Sequence, residues 1–169
     1  MTTERTDLPE SLDERTTLLT MLDYTRKTAV AKCEGLSDAD ARMAPLPGSP
    51  MMTVSGVVSH MRWVEWSWIR GTLLGHDDEG PWTDEDPDRE FHYRLDWPIA
   101  DVVADYQAMA REHDEQITGW DLEMVAARRI RSGQEINLRW ILFHLIEENA
   151  RHNGHLDILR ELADGVTGD

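Results

Sequence analysis

Apolar residues recur at every third or fourth position in four stretches of this 169-residue chain. That spacing places them on one side of a helix and predicts amphipathic helices. A glycine follows each stretch, as is common where helices end. The predicted helices cover residues 12–34, 53–74, 96–118 and 137–163. With no strand-rich region between them, the pattern predicts an all-α fold, an antiparallel four-helix bundle forming one domain over residues 1–169.

The segment between the second and third predicted helices has a different character. Residues 75–95 are polar and acidic and are interrupted by Pro81 and Pro87, so we expect a long irregular excursion. Its acidic run, residues 77–90, is interpreted as a solvated loop. Residues 121–134 are expected to form a short hairpin or an irregular link.

The second predicted helix is apolar on more than one face. Its inward stripe includes Val57 and Val64, and Trp63 and Trp66 extend the apolar surface sideways. A helix of this kind is either buried on two sides or meets another subunit. A homodimer is therefore one possible assembly.

Composition and charge exclude several classes of function. The formal net charge is −16 at pH 7, which disfavours nucleic acid and anionic membrane surfaces as partners. There is no run of about 18 apolar residues that would span a membrane, and residues 1–12 lack the features of a signal peptide. The single cysteine, Cys33, cannot form an internal disulfide. It is interpreted as a small buried residue rather than a nucleophile, and a reducing, cytoplasmic location is expected.

Three histidines and a glutamate share one face of the fourth predicted helix. His144, Glu148, His152 and His155 are separated by four, four and three residues, which places them about one turn apart. His152 occupies the inward stripe, where a leucine would be expected, and Glu148 lies at its edge. A buried imidazole and a buried carboxylate need polar partners, and a shared metal ion would satisfy both.

A catalytic zinc site usually has three protein ligands and one open position. His60 is the best candidate for the third ligand, because it lies one turn after Val57 and one turn before Val64 on the inward side of the second predicted helix. Other interpretations stay open. His60 is also compatible with a hydrogen-bonded core histidine, and Glu148 and His152 with a mutual hydrogen bond or a solvated face.

Three segments of the sequence match a known group of proteins. They are residues 35–38 (GLSD), 60–66 (HMRWVEW) and 138–157 (LRWILFHLIEENARHNGHLD). On these segments the chain resembles the DinB superfamily over nearly its whole length, and within it the branch described as domain of unknown function 664. The resemblance implies a four-helix bundle with a metal ion, usually zinc or nickel, between the helices.

The last segment departs from the commonest superfamily pattern. Many relatives end with a His-x-x-x-His pair before Gly-Gln, whereas this chain has Glu148 at the first position and Gly154-His155 after the second. This substitution looks like the mycothiol-dependent branch, which includes maleylpyruvate isomerase and mycothiol S-transferases. It implies His60, Glu148 and His152 as ligands of a divalent metal, with zinc expected first and nickel as the alternative. Isomerase-type relatives carry a further C-terminal domain and this chain ends at residue 169, which weakens any transfer of the isomerase reaction to it.

The leading hypothesis is a metal-dependent enzyme that transfers a low-molecular-weight thiol, such as mycothiol, to an electrophilic small molecule. His144 and His155 are the candidate catalytic residues, although either is also compatible with a supporting or surface position. Trp63, Arg128 and Arg131 are the candidate substrate-binding residues, against the alternatives of core packing and a solvated basic turn. A hydrolase using metal-activated water and a non-catalytic metal-binding stress protein are the competing functions.

Overall fold

The computed structural model describes residues 3–167, which form five α-helices connected by loops. They are α1 (Glu14–Ala31), α2 (Asp38–Ala41), α3 (Val54–Trp66), α4 (Ile99–Ile117) and α5 (Leu138–Asp164). A π-helix, Ser67–Leu73, continues α3, and a single 3₁₀ turn, Arg89–Phe91, lies in the segment before α4. Residues 3–167 contain no β-strand, only an isolated antiparallel bridge between Val125 and Asn137. The all-α prediction is confirmed.

Side-chain caps fix where the helices begin. Asp13 accepts a hydrogen bond from the Thr16 amide at 2.9 Å, and Asn137 accepts one from the Trp140 amide at 3.0 Å. These bonds satisfy amide groups that have no partner within the helix. The first helix therefore begins at Glu14 rather than at Leu12. The predicted start at residue 12 is therefore wrong by two residues, and Leu12, which precedes the cap, is 92% exposed.

The hydrophobic core is built around α5. This helix packs against α1 and α3, and α3 also packs against α4. The leucines on its inward stripe are almost completely buried, and they include Leu142, Leu145, Leu156 and Leu159. Because α5 contacts both α1 and α3, a side chain at either edge of its inward stripe lies near one of these two helices.

The broad apolar surface of α3 is covered within the chain. Trp63 and Trp66 are 8% and 3% exposed, and their rings meet edge to face with centroids 5.9 Å apart. Trp63 also meets Trp82 from the following segment at 5.9 Å. The apolar surface of α3 thus packs against this segment, α4 and α5.

A buried ionic network joins three helices. Arg26 of α1 donates to Glu65 of α3 through Nε at 2.9 Å and Nη2 at 2.5 Å, and its Nη1 donates to Asp114 of α4 at 2.7 Å. His113 of α4, which is fully buried, lies 3.0 Å from Glu65 Oε1 through Nδ1. Charged groups out of water need such partners, so the network constrains how α1, α3 and α4 sit together.

None of the helices formed by residues 3–167 is both long enough and apolar enough to cross a membrane.

Candidate metal centre

His60, Glu148 and His152 come together where α3 faces α5. One potential ligand atom from each lies within 4.8 Å of the other two. Glu148 Oε2 is 3.5 Å from His152 Nε2, and the rings of His60 and His152 have centroids 4.7 Å apart. The three side chains are between 10% and 18% exposed, so the group lies near the surface of the core and is accessible from one side.

The orientation of α5 directs Glu148 and His152 towards α3. Two asparagines, each one residue further along α5, face α1 instead. Asn153 Nδ2 donates to the Thr25 carbonyl at 2.9 Å, and Asn149 Nδ2 lies 3.5 Å from Thr25 Oγ1. Since successive helical residues differ by about 100° around the axis, anchoring the asparagines on α1 turns their predecessors towards α3.

A residue that the sequence analysis missed, Glu90, supports His60. Its Oε1 lies 3.2 Å from His60 Nδ1, and its backbone carbonyl accepts a 2.6 Å hydrogen bond from Ser59 Oγ. The next residue, Phe91, stacks on the His60 ring with centroids 4.3 Å apart. The prediction that the acidic run, residues 77–90, is a solvated loop is therefore wrong for its last residue, since Glu90 is only 8% exposed. The apolar Phe91 directly after the run was the available signal.

The other two members of the group also have outer partners. His155 Nδ1 lies 3.3 Å from His152 Nδ1, and Arg151 Nη1 donates to Glu148 Oε1 at 3.1 Å. A hydrogen bond between two imidazole nitrogens requires a proton on one of them. With that proton on His152 Nδ1, its Nε2 lone pair faces Glu148. Partners of this kind usually orient the ligands of a metal ion.

Electrostatics keep His152 neutral near pH 7. Its pKa is lowered to about 4, chiefly by burial and in addition by the nearby groups His60, His155 and Arg151. A neutral imidazole has the lone pair that a metal requires. Two imidazoles and one carboxylate suit zinc or nickel, whereas calcium and magnesium prefer all-oxygen sites. The residues present therefore fit a divalent transition metal.

His144 lies beside this group between two tryptophan rings. Its ring stacks on Trp140 at 4.9 Å and meets Trp68 edge-on at 4.6 Å, and Nε2 is 3.8 Å from Glu148 Oε1. His144, Glu147 and Glu148 form a second possible metal-binding group. It fits less well, because Glu147 is exposed and already paired with Arg151.

A cavity of about 310 Å³ adjoins the group through Glu90, which contacts His60, and Trp68 in its wall meets His144. Its walls include two of the predicted substrate-binding residues, Trp63 and Arg131, and also Trp82 and Arg129. Arg128 is not part of the wall. It donates to the Gly75 carbonyl at 3.0 Å and lies 3.8 Å from Asp77, so it fastens the segment that follows the π-helix.

The model of a family described as mycothiol-S-transferase matches residues 17–165, which include His60, Glu148 and His152. A comparison with curated proteins finds no match.

Proposed function

Since the chain belongs to the mycothiol S-transferase family, we propose that it transfers a low-molecular-weight thiol, mycothiol first, to an electrophilic small molecule. His60, Glu148 and His152 hold a divalent metal ion, with zinc expected and nickel as the alternative. The chain acts as one four-helix-bundle domain in the cytoplasm. The observation that carries this proposal is the convergence of three ligand side chains, each with an outer partner.

The protein's own cysteine is not the source of the transferred sulfur. Cys33 is 7% exposed, and burial raises the pKa of its thiol to about 12. A thiol with such a pKa is almost entirely protonated at neutral pH and is a poor nucleophile. The reacting sulfur must then arrive with the substrate.

A bound metal ion supplies a positive charge that lowers the pKa of a thiol brought next to it. The sulfur loses its proton and forms a bond to an electrophilic carbon, and a leaving group departs with the electron pair of the bond that breaks. We assign the acceptance of that proton to His144, whose ring is held between Trp68 and Trp140 beside Glu148. His155 acts through His152 and is a positioning residue.

The test measures thiol conjugation by the purified holoprotein. Mycothiol, bacillithiol and glutathione are each offered with a chlorobimane dye, whose conjugates fluoresce. We expect acceleration with mycothiol, and a loss of about 100-fold or more in His152→Ala because a ligand is removed. His76→Ala is the matched control, since His76 is exposed and lies outside the group. Absence of thiol-dependent acceleration with all three thiols contradicts the proposal, and turnover without thiol favours the hydrolase alternative.

A further inference from the structure

The cavity beside the metal centre, here called the tryptophan cavity, has its own binding features. Trp63, Trp68 and Trp82 contribute to its walls, and Ser67 and Thr72 add hydroxyl groups. Ser67, Trp68 and Thr72 belong to the π-helix, a conformation that is frequent at functional sites. Trp82 is fixed in place by a 2.7 Å hydrogen bond from its Nε1 to Asp78 Oδ2.

Glu90 connects this cavity to the metal centre. The side chain lines the cavity, and its Oε1 contacts His60 Nδ1. Its other oxygen, Oε2, is buried and has no hydrogen-bond partner among residues 3–167. A buried carboxylate oxygen without a donor is costly, and such atoms in native proteins call for an explanation. A ligand that donates a hydrogen bond from the cavity supplies the missing partner.

The mixture of groups around the cavity defines the class of ligand. The indole rings that line the cavity offer apolar surface for C–H groups, Glu90 accepts hydrogen bonds, and Arg131 donates them. Arg129 and Arg131 line the same cavity, so charge alone does not select the ligand. A purely apolar ligand, or an anion that only accepts hydrogen bonds, leaves Glu90 Oε2 without a donor. A polyhydroxylated ligand matches all three features, because its C–H faces are apolar and its hydroxyl groups both donate and accept.

We propose that the tryptophan cavity binds the sugar portion of the thiol substrate. A sugar hydroxyl donates to Glu90 Oε2 while Oε1 accepts from His60 Nδ1–H, and the ring packs against Trp82. This assignment rests on the proposed thiol transfer and adds the position of the non-sulfur part of the substrate. One carboxylate then contacts both the bound sugar and a metal ligand.

The probe is glucosaminyl-inositol, the sugar portion of mycothiol without its cysteine, titrated into the holoprotein by calorimetry. We expect saturable binding to the wild type, weakened about tenfold or more in Glu90→Gln and in Trp82→Ala. Glu85→Gln and Trp97→Ala are the controls, because both residues are exposed and lie outside the cavity walls. Helix content and bound metal are measured for each variant, so that only folded, loaded proteins are compared.

Two results overturn the assignment: no binding of glucosaminyl-inositol to the wild type, or equal binding by the cavity variants and the controls. The outcome is independent of the transfer assay, since the probe carries no sulfur. Transfer without sugar binding refutes the cavity assignment alone. Sugar binding without thiol transfer supports the cavity assignment and refutes the proposed reaction.

Discussion

Replacing Glu65 by glutamine tests the buried ionic network that holds α3 in place. The side chains of Arg26 and Glu65 are 6% and 1% exposed, so Glu65→Gln leaves the charge of Arg26 out of water with only Asp114 as its counterion. Removing one partner of a buried pair costs about 3–5 kcal/mol. Because Asp114 remains and the glutamine oxygen still accepts hydrogen bonds, we expect a loss near the lower end, about 3 kcal/mol.

Urea unfolding followed by circular dichroism at pH 7 measures this loss. Asp23→Asn is the matched control: its partner Lys27 is on the same helix, both side chains are more than 40% exposed, and such pairs contribute about 0.5 kcal/mol. A loss below about 1 kcal/mol for Glu65→Gln, or one equal to that of the control, would refute the role assigned to the network.

The pH dependence of the free energy of unfolding provides a second test with the same variant. Burial raises the pKa of Glu65, but the charge of Arg26 and the hydrogen bonds from His113 and Arg26 outweigh it, so the net pKa is lowered. Just below pH 4.5, Glu65 stays ionised in the folded protein, whereas the same side chain takes up a proton in the unfolded chain. Its contribution is therefore complete above the unfolded value of 4.5 and is lost as the pH falls through the folded value. Glu65→Gln is expected to lose less stability than the wild type on acidification.

Three further predictions concern stability and reactivity. Leu145→Ala, at a position 1% exposed, is expected to cost about 3 kcal/mol in urea unfolding, against less than about 0.5 kcal/mol for Leu162→Ala on the exposed side of α5. Gly154→Ala, inside α5 with open space around the new methyl group, is expected to stabilise the protein by about 1 kcal/mol. Gly165→Ala is expected to destabilise it by about 1 kcal/mol, because the φ of Gly165 is +79°. Thermal unfolding measures both, and changes of the same sign would contradict this prediction. Cys33 is expected to resist iodoacetamide at pH 7.4 in the folded protein and to react once unfolded in urea, and rapid alkylation of the native protein would show that its thiol is accessible.

Most of the helical structure could be predicted from local patterns, since the repeat of apolar residues and the glycines at helix ends are properties of the sequence. The predicted end of the second helix was also close, but its last part is π-helical. That conformation depends on packing around Ser67–Leu73, which no periodicity encodes. The cap at Asp13 was missed because Leu12 continued the apolar repeat by one position.

The metal centre illustrates what spacing can and cannot indicate. Glu148 and His152 are one turn apart on one helix, and His60 lies on an inward stripe, so their meeting could be anticipated from the sequence. For Glu90 the only local signal is the apolar Phe91 that follows it, and its contact with His60 depends on the path of the loop before the 3₁₀ turn. His113 lay on the inward stripe of its helix, and its partner Glu65 is a charged residue between two buried tryptophans. A polar residue on a buried stripe is the sequence signal of such a network.

The metal content of the purified protein tests the central claim most directly. After exposure to zinc and removal of excess, the wild type is expected to retain about one equivalent per chain by mass spectrometry of the metal. His60→Ala, Glu148→Gln and His152→Ala are each expected to retain less than about a tenth of that while remaining helical, and His76→Ala to match the wild type. A wild type that holds no zinc or nickel, or ligand variants that hold as much as the control, would contradict the assignment of the metal centre.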